Sequence, residues 1–575
     1  MLPRLLYKGF SHYLANRSTE LEKMSESKRV LIVGGVAGGA SAAARARRLS
    51  EDAEIIVFER GEHISFANCG LPYHIGQVIP KRESLLIQTP EAMARRFRID
   101  VRTRCEVMSV DPGAHTATVR GADGAESVEP YDKLVLSPGA APVCPPIPGA
   151  DLPGVRTLRN IDDMDAIKRI VDRDAPERAL VVGGGYIGLE MAEALRLRGL
   201  DVTLVELAEQ VFVAADAEMA APVHRQLVEH GVDLRLKTSV TAIEPSGERL
   251  KVALSSEESV ECGLVIMAVG VRPEADLARD AGLEIGQTGG IAVDEQMRTS
   301  DPDIFAVGDA VEVTEFVGGG SALIPLAGPA NRQGRIAADN IFDRPSVYRH
   351  TQGTAICKLF DLAIGMTGMS EKALSRAGMN FEKIYIHAAS HAGYYPGAAP
   401  INLKLLFDPE SGRVLGAQAV GSDGVDKRID VLAVAVRAGL SVQQLQDLEL
   451  SYAPPFGSAK DPVNYAGFVA SNVLAGDVKL CHTPDMLAPG DNQLLLDVRT
   501  DGEVAAGTIA GSVHIPLDDL RDRLGELPSD KELLVFCAAG LRGYLACRIL
   551  SQNDLACRNL TGGYKTFKDA TDAQP

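Results

Sequence analysis

Two stretches with the same hydrophobic pattern organise the first half of the chain. In each, a short apolar run is followed by glycines, a helix-forming segment and a second apolar run. The first stretch predicts a strand at 29–33, a helix through Leu49 and a strand at 55–58, and the second predicts strands at 179–182 and 201–205. Each set has the pattern of a βαβ unit with buried parallel strands.

The glycines, and an acid at the end of each second strand, give both units the spacing of a dinucleotide-binding site. Gly34 lies 25 residues before Glu59, and Gly183 lies 23 residues before Glu206. In such sites the helix N terminus takes the pyrophosphate and the carboxylate takes ribose hydroxyls. Because Val36 replaces the middle glycine of the first unit, that match alone also fits a plain strand–helix packing turn.

Composition indicates a large, acidic, soluble globular protein. Its 575 residues require several domains, because single hydrophobic cores stop growing at about 250 to 300 residues. The net charge of −18 and the lack of Trp argue against nucleic acid as a partner, and an anionic cofactor must be met by local basic patches. The apolar runs are too short to span a bilayer, so we expect no membrane partner.

The nine cysteines are scattered, without CxxC pairs or zinc-site spacing. We therefore expect neither a disulfide framework nor a metal site, and this usage fits a reducing cytoplasm. Residues 1–28 lack the apolar core of a signal peptide, and we expect them to form a disordered extension.

Cys69 is the candidate nucleophile of the first unit. It lies in the run S-F-A-N-C-G-L-P-Y at 65–73, and the next cysteine is Cys105, so no C-x4-C dithiol exists. A lone sulfur would hold a mixed disulfide, a persulfide or a sulfenate. We expect backbone N–H groups of the turn after Cys69 to lower its pKa, and the alternative is a buried structural cysteine.

A further α/β pattern begins after a predicted connector at 471–490. Its apolar strand at 532–536 runs into Cys537, and we expect six loop residues from Cys537 to Arg542 before a helix that starts near Tyr544. Such a loop can direct successive N–H groups at one sulfur, with the arginine at its rim. The alternative is an inactive docking module.

With these motifs, residues 29–470 resemble the pyridine nucleotide-disulfide oxidoreductase family. The run at 65–76 is closely similar to S-F-x-N-C-G-L-P-Y-x-I-G of its coenzyme A-disulfide reductases. Residues 491–575 resemble a single rhodanese module, in which Thr508 replaces the usual His and Gly543 the usual Ser or Thr. The count C-x4-R in its loop favours sulfur transfer over phosphate ester hydrolysis.

The resemblance implies an α/β fold with two nested Rossmann-like FAD and NAD(P) domains, an α+β dimerisation domain and a C-terminal α/β rhodanese domain. The implied boundaries are 29–148 and 271–345 for FAD, 149–270 for NAD(P)H, 346–470 for dimerisation and 491–575 for the rhodanese domain.

The resemblance also implies three ligand sites. The FAD site would use Gly34, Gly35, Gly38, Gly39, Glu59, Arg60, Gly139, Gly308, Asp309 and Ala327, with Asp309 opening a helix and binding a ribityl hydroxyl. The NAD site would use Gly183, Gly185, Gly188, Glu206 and Gly270. The coenzyme A site would use Ser41, Arg45, Arg48, Ser65 and Asn68, with Lys427 and Arg428 from the partner subunit. At the NAD site the Glu206 carboxylate favours NADH over NADPH, because it would repel a 2′-phosphate.

The implied catalytic residues are Cys69 as nucleophile, Tyr394 and Tyr452 reaching it from the partner subunit as general acids, and Cys537 with Arg542 carrying sulfane sulfur. From chemistry alone, the two tyrosines also fit a pair of interface aromatics. A homodimer with shared active sites follows if the family roles hold.

The function implied is FAD-dependent reduction, by NADH or NADPH, of coenzyme A disulfide, coenzyme A persulfide or polysulfide at Cys69. Two alternatives stay open. Cys69 is a sulfenate in an NADH oxidase or peroxidase, or the chain is a sulfur carrier or redox sensor with little turnover.

Overall fold

The computed structural model describes residues 27–572, so most of the predicted extension 1–28 lies outside the described residues. Its last residue, Lys28, belongs to the fold: the ammonium donates to the Ile341 carbonyl at 2.8 Å and pairs with Asp343 at 3.0 Å. Within 27–572, every helix is too short or too polar to cross a membrane.

The first unit is a five-stranded parallel sheet. Four of its strands precede the second unit in the sequence, and the fifth follows it. In spatial order its strands are Ile304–Ala306, Lys133–Leu136, Arg29–Val33, Glu54–Glu59 and Asp100–Thr103. The helices Ala37–Leu49, Pro90–Phe97, Asp276–Asp280 and Ala327–Ile341 belong to this unit, whereas the short helix Leu71–Ile75 packs against helices of the second unit. An antiparallel sheet is formed by Glu106–Asp111, Thr116–Arg120 and Glu126–Pro130. The predicted helix through Leu49 and strand at 29–33 are confirmed.

The second unit repeats this plan. Its parallel strands are Val232–Arg235, Asp201–Val205, Arg178–Val182, Leu264–Met267 and Val155–Arg156. Its helices are Ile161–Arg169, Tyr186–Leu197 and Ala217–Glu229, and Val240–Ser246, Arg249–Leu254 and Ser259–Cys262 form an antiparallel sheet. The chain enters the second unit through the strand Ala140–Pro142 and returns to the first through Val271–Pro273. These two strands pair with each other as an antiparallel ribbon.

The third unit is an antiparallel sheet. Its strand order is Ala355–Leu359, Leu362–Gly368, Val414–Gly421, Pro400–Phe407 and Glu382–Ala389. The helices Glu371–Arg376, Val425–Ala438, Val442–Gln446 and Pro462–Leu474 pack with it.

The fourth unit is a parallel sheet with the order Leu480–Cys481, Cys557–Leu560, Glu532–Phe536, Gln493–Asp497 and Val513–His514. Its helices are Thr483–Leu487, Asp501–Ala505, Leu541–Ser551 and Gly563–Asp572.

The predicted connector 471–490 is corrected by this sheet. A helix continues to Leu474, and the strand Leu480–Cys481 pairs with Cys557–Leu560, so much of the segment is ordered and belongs to the packed units. A two-residue strand carries no hydrophobic period, which is why the pattern did not predict it.

Candidate active site

The turn after the first strand has the shape of a phosphate cradle. Gly34 adopts φ +92°, and a Cβ there would lie 2.1 Å from the Ser137 carbonyl oxygen. A Cβ on Gly39 would lie 1.9 Å from the Gly34 oxygen, and one on Gly38 would meet Val307 at 2.9 Å. The turn therefore needs glycine for close helix–strand approach, although Val36 replaces the middle glycine.

Acidic and basic side chains line the far end of this turn. The Glu59 carboxylate accepts from the backbone nitrogens of Gly35 at 2.9 Å and Gly61 at 2.8 Å. Arg60 pairs with Glu274 at 2.8 Å, an acid that the sequence did not single out. The Arg60 guanidinium is thus held in place by Glu274.

Asp309 lies at the carboxyl end of the strand Ile304–Ala306, after Gly308 at φ +85°. Its predicted helix is wrong, because the chain forms a turn there and the next helix begins at Ala327. Among residues 27–572 the Asp309 carboxylate accepts no hydrogen bond, and burial raises its pKa. A half-buried acid without a partner fits a ligand hydroxyl. Gly139, at φ +78°, follows the neighbouring strand Lys133–Leu136.

The second glycine turn also fits a dinucleotide. Gly183 adopts φ +103°, and a Cβ on Gly188 would lie 1.9 Å from the Gly183 oxygen. In contrast, a Cβ on Gly185 or Gly270 would meet nothing within 4 Å, so open space lies beside both. Glu206 accepts from the Gly184 nitrogen at 2.6 Å, at the end of its strand.

Cys69 opens onto a cavity of about 540 Å³ that is lined by the helices Ala37–Leu49 and Ala327–Ile341 and by the segments around Cys69 and Met93. The polar residues that line it are Ser41, Arg48, Ser65, Asn68, Gln88, Asn331 and Arg335, and its apolar wall includes Ile87, Met93, Phe97 and Ala327. Volume and chemistry suit a long ligand with an anionic end and an apolar arm.

The predicted lowering of the Cys69 pKa is wrong. Burial raises the pKa of the thiol, and the carboxylates of Glu190 and Asp309 add to the shift, against a lowering backbone hydrogen bond. The helix that follows, Leu71–Ile75, has only five residues, so its dipole is short. Glu190 was not predicted: burial raises its own pKa to about 7, and it accepts from the Tyr73 hydroxyl at 3.2 Å.

The two arginines of the first helix that were expected at the coenzyme A site have different surroundings. Arg48 lines the cavity, whereas Arg45 forms a largely buried ion pair with Asp339 at 2.6 Å and does not line it. The second cavity arginine is Arg335, which the sequence analysis missed. Arg335 follows Asn331 by four residues on one helix, so both fall on one face, and that spacing was the available signal.

Lys427 and Arg428, the two basic residues expected at the coenzyme A site from the partner subunit, also differ from each other in burial and contacts. Arg428 is 1% exposed, and its guanidinium pairs with Asp461 at 2.8 Å and donates to the Ser390 carbonyl at 2.7 Å. These contacts use its donors inside the fold, so the predicted ligand role of Arg428 is not supported. Lys427 is more exposed and donates to the Phe456 carbonyl at 3.2 Å.

Tyr394 and Tyr452 come together on the surface. Their hydroxyl oxygens are 2.9 Å apart, and the residues are 76% and 49% exposed. Neither lines the cavity of the same chain's Cys69. The hydrogen bond to Tyr452 raises the pKa of Tyr394, so the phenol stays protonated at neutral pH.

The fourth unit presents a second sulfur. The Gly540 nitrogen donates to the Cys537 Sγ at 3.1 Å, at the start of the helix Leu541–Ser551. That helix begins before Tyr544, so Arg542 lies in its first turn and not in the predicted loop. Thr508, in the place of the usual His, donates to Asp497 at 2.7 Å.

Comparison with known proteins identifies the family. The model of the pyridine nucleotide-disulphide oxidoreductases matches residues 28–334, that of their dimerisation domain matches 354–462, and that of the rhodanese-like domain matches 484–570. The chain belongs to the pyridine nucleotide-disulphide oxidoreductase family.

Three relatives show the range of the similarity. A coenzyme A disulfide reductase of Staphylococcus haemolyticus is 34% identical over 448 residues, which is 78% of this chain and all of the relative. The structure of reduced Bacillus anthracis CoADR-RHD has a TM-score of 0.93 and 48% identity, over 96% of this chain and 99% of that one. A NAD-dependent persulfide reductase from A. fulgidus has a TM-score of 0.87 and 37% identity, over 94% and 99%.

Proposed function

We propose that this protein is a FAD-dependent NAD(P)H oxidoreductase that reduces coenzyme A disulfide, coenzyme A persulfide or a related polysulfide at Cys69. One observation carries the proposal: a lone cysteine opens onto a cavity of about 540 Å³ that also holds two arginines, Arg48 and Arg335. An arginine pair suits the phosphates of coenzyme A, and the apolar wall suits its pantetheine arm.

Both dinucleotides fit the residues present. The first glycine turn and the free Asp309 carboxylate would hold FAD, and the second turn with Glu206 would hold the pyridine nucleotide, preferably NADH. When bound, FAD supplies the route by which two electrons from the nicotinamide reach the sulfur of Cys69. The protein's own task is to position that sulfur and the substrate disulfide.

At Cys69 the thiolate attacks the disulfide of coenzyme A, forming a mixed disulfide and releasing one coenzyme A thiolate. Two electrons then cleave the mixed disulfide, which returns the Cys69 thiolate and a second coenzyme A thiolate. With a persulfide as substrate, one thiolate and hydrogen sulfide are the products. Tyr394 and Tyr452 of the partner subunit are proposed to donate protons to the departing sulfur.

This role makes the enzyme a homodimer, because the tyrosine pair is exposed on the surface and does not line the cavity of its own chain. Cys537 is proposed to hold sulfane sulfur for the same pathway. All nine cysteines are free thiols within the described fold, which supports placing the enzyme in the reducing cytoplasm.

Steady-state NADH oxidation with coenzyme A disulfide and with coenzyme A persulfide tests the proposal. We expect Cys69→Ser to lower kcat by at least about a thousandfold with both substrates, because the covalent nucleophile is lost. Cys144→Ser, at another exposed cysteine, is the control and retains full activity. Full rates in Cys69→Ser would refute the proposal.

The same assay separates the alternatives. Consumption of oxygen or peroxide faster than of either coenzyme A substrate would indicate a sulfenate oxidase or peroxidase, which has no need of arginines in its cavity. Reduction by NADH without release of thiol would indicate a carrier or sensor.

A further inference from the structure

Arg542 and Glu503 form a two-bond ion pair near Cys537. The guanidinium nitrogens donate to the two Glu503 oxygens at 2.8 and 2.6 Å. The pKa of Arg542 is raised chiefly by this hydrogen bond, against a lowering effect of burial, and the charge of Glu503 and the nearby Cys537 sulfur add to the rise. The arginine next to the reactive sulfur is therefore already neutralised by the protein.

Glu503 is fixed where it stands. It is the third residue of a capping box, and its Oε2 also accepts from the nitrogen of Thr500 at 3.0 Å and from the Thr500 hydroxyl at 2.9 Å. These hydrogen bonds, first of all the one from Arg542, lower the pKa of Glu503 to about 2, so it is ionised at any working pH. A small anion that approaches Arg542 meets a carboxylate that cannot readily move away.

The other basic residues near the Cys537 loop do not offer a free positive charge in place of Arg542. Arg499 is 3% exposed and pairs with the fully buried Asp497 at 2.7 Å, with its guanidinium over the Tyr564 ring. Lys565 contacts the loop through its backbone nitrogen, which donates to the Ala538 carbonyl, and its side chain is exposed to screening by water.

We propose that Glu503 determines which sulfur donors load Cys537, by repelling small dianions such as thiosulfate and admitting thiol persulfides. In loading from a persulfide, the Cys537 thiolate attacks the outer sulfur, the S–S bond breaks and the donor leaves as its thiol. In loading from thiosulfate, the same attack breaks the S–S bond and releases sulfite. The inference rests on the proposed sulfur-carrying role of Cys537.

The test compares two donors in the full-length holoenzyme. Loading of Cys537 by one sulfur atom is followed by mass spectrometry, with thiosulfate and with cysteamine persulfide, whose ammonium balances its sulfur charge. Glu503→Gln removes the charge and keeps an amide that supports the capping box. We expect the ratio of the thiosulfate rate to the persulfide rate to rise about tenfold, which equals about 1.4 kcal/mol of lost repulsion.

Glu526→Gln is the matched control. Glu526 forms a similar two-bond pair with Arg523 in the same unit, at 2.8 Å for both bonds, and is not part of the Cys537 loop. This variant should leave the ratio unchanged, and added salt should reduce the gain in Glu503→Gln.

Two results would overturn the inference, provided that Cys537 still loads from the persulfide. One is an unchanged ratio of thiosulfate to persulfide loading in Glu503→Gln, and the other is an equal change of that ratio in Glu526→Gln. If neither donor loads Cys537 in any variant, the sulfur-carrying role itself fails and the inference fails with it. NADH-dependent reduction at Cys69 is measured separately and would stand.

Discussion

Arg45 and Arg48 show how much depends on single contacts at the residue scale. Both lie on one face of the helix Ala37–Leu49, and helical spacing assigns them the same role. In the structure their roles differ. Asp339, almost 300 residues further along the chain, pairs with Arg45, whereas no acid of the described residues pairs with Arg48. Sequence identified the basic face, whereas the division of its charges depends on tertiary packing.

Substitution of each arginine should therefore have a different effect. Arg48→Ala should raise KM for coenzyme A disulfide about tenfold, since a charge-assisted phosphate contact contributes roughly 1.5 to 3 kcal/mol. Arg45→Ala should leave KM nearly unchanged and lower the free energy of unfolding by about 3 kcal/mol, because it leaves Asp339 buried and unpaired. Steady-state kinetics and denaturant unfolding measure the two effects. A raised KM in Arg45→Ala together with an unchanged KM in Arg48→Ala would show that Arg45, not Arg48, binds the ligand.

At the scale of elements, the sequence predicted the parts whose pattern is local. The strand Asp201–Val205 and the end of the first helix at Leu49 agree with the apolar runs and their glycine turns. The predicted helix after Asp309 and the late start of the helix Leu541–Ser551 are wrong. A strand-end acid or a Gly-rich loop permits both a turn and a helix, and packing against distant strands decides between them.

Close packing of two helices in the first unit gives a prediction at this scale. A Cβ on Gly334 would lie 2.2 Å from the Gly38 carbonyl oxygen, whereas one on Gly328 of the same helix would meet only the end of Arg332 at 3.9 Å. Gly334→Ala should therefore destabilise the protein by about 2 kcal/mol or more and weaken FAD retention. Gly328→Ala, its control, should be neutral or stabilising by up to about 1 kcal/mol, since alanine favours helix.

Thermal unfolding measures the stability of the two glycine variants, and the flavin content of the purified protein measures their retention of FAD. Equal stability of the two variants would mean that the helices do not approach as closely as the structure has them.

At the scale of the whole molecule, a buried lysine of the third unit joins that unit to the second. Lys404 is 0% exposed, and its ammonium contacts Asp216 at 2.8 Å, Glu218 at 2.6 Å and Glu371 at 2.6 Å. These are the three carboxylates, within residues 27–572, whose grouping would otherwise suit a metal ion. The Tyr385 hydroxyl also donates to Glu218 at 2.7 Å.

The fourth unit docks at the same place. The backbone nitrogen of Tyr385 donates to the Thr561 hydroxyl at 3.0 Å, His387 bonds to the Thr566 hydroxyl at 2.9 Å, and Arg225 pairs with Asp569 at 2.7 Å. Nothing in the sequence around Lys404 predicted this junction, because the residues that meet there come from three separate parts of the chain, one in each of the second, third and fourth units.

Removal of the buried ammonium should affect the whole molecule. Lys404→Met removes the ammonium from the buried Asp216 and the largely buried Glu218, whereas Glu371 keeps its ion pair with Lys383. We expect unfolding to be easier by about 3 to 5 kcal/mol. Lys237→Met, which removes an exposed partner of Glu209, should change stability by less than about 1 kcal/mol. Denaturant unfolding at neutral pH checks both, and equal losses would contradict the role of the junction.

The pH dependence of stability follows from Glu218. Burial would raise its pKa, but the charge and hydrogen bond of Lys404 outweigh burial and lower the pKa from 4.5 to about 2. A lowered carboxyl pKa stabilises the fold fully above pH about 4.5, and this contribution is lost as the pH falls towards about 2. Lys404→Met should therefore flatten the loss of stability in this range, as measured by unfolding at several pH values.

The mass of the purified protein after treatment with coenzyme A disulfide tests most directly whether Cys69 is the reacting sulfur. Without reductant, one coenzyme A per chain should be attached, peptide mapping should place it on Cys69, and NADH should release it. Coenzyme A on another cysteine, or no adduct on Cys69 in a protein that still reduces the disulfide, would contradict the proposed mechanism.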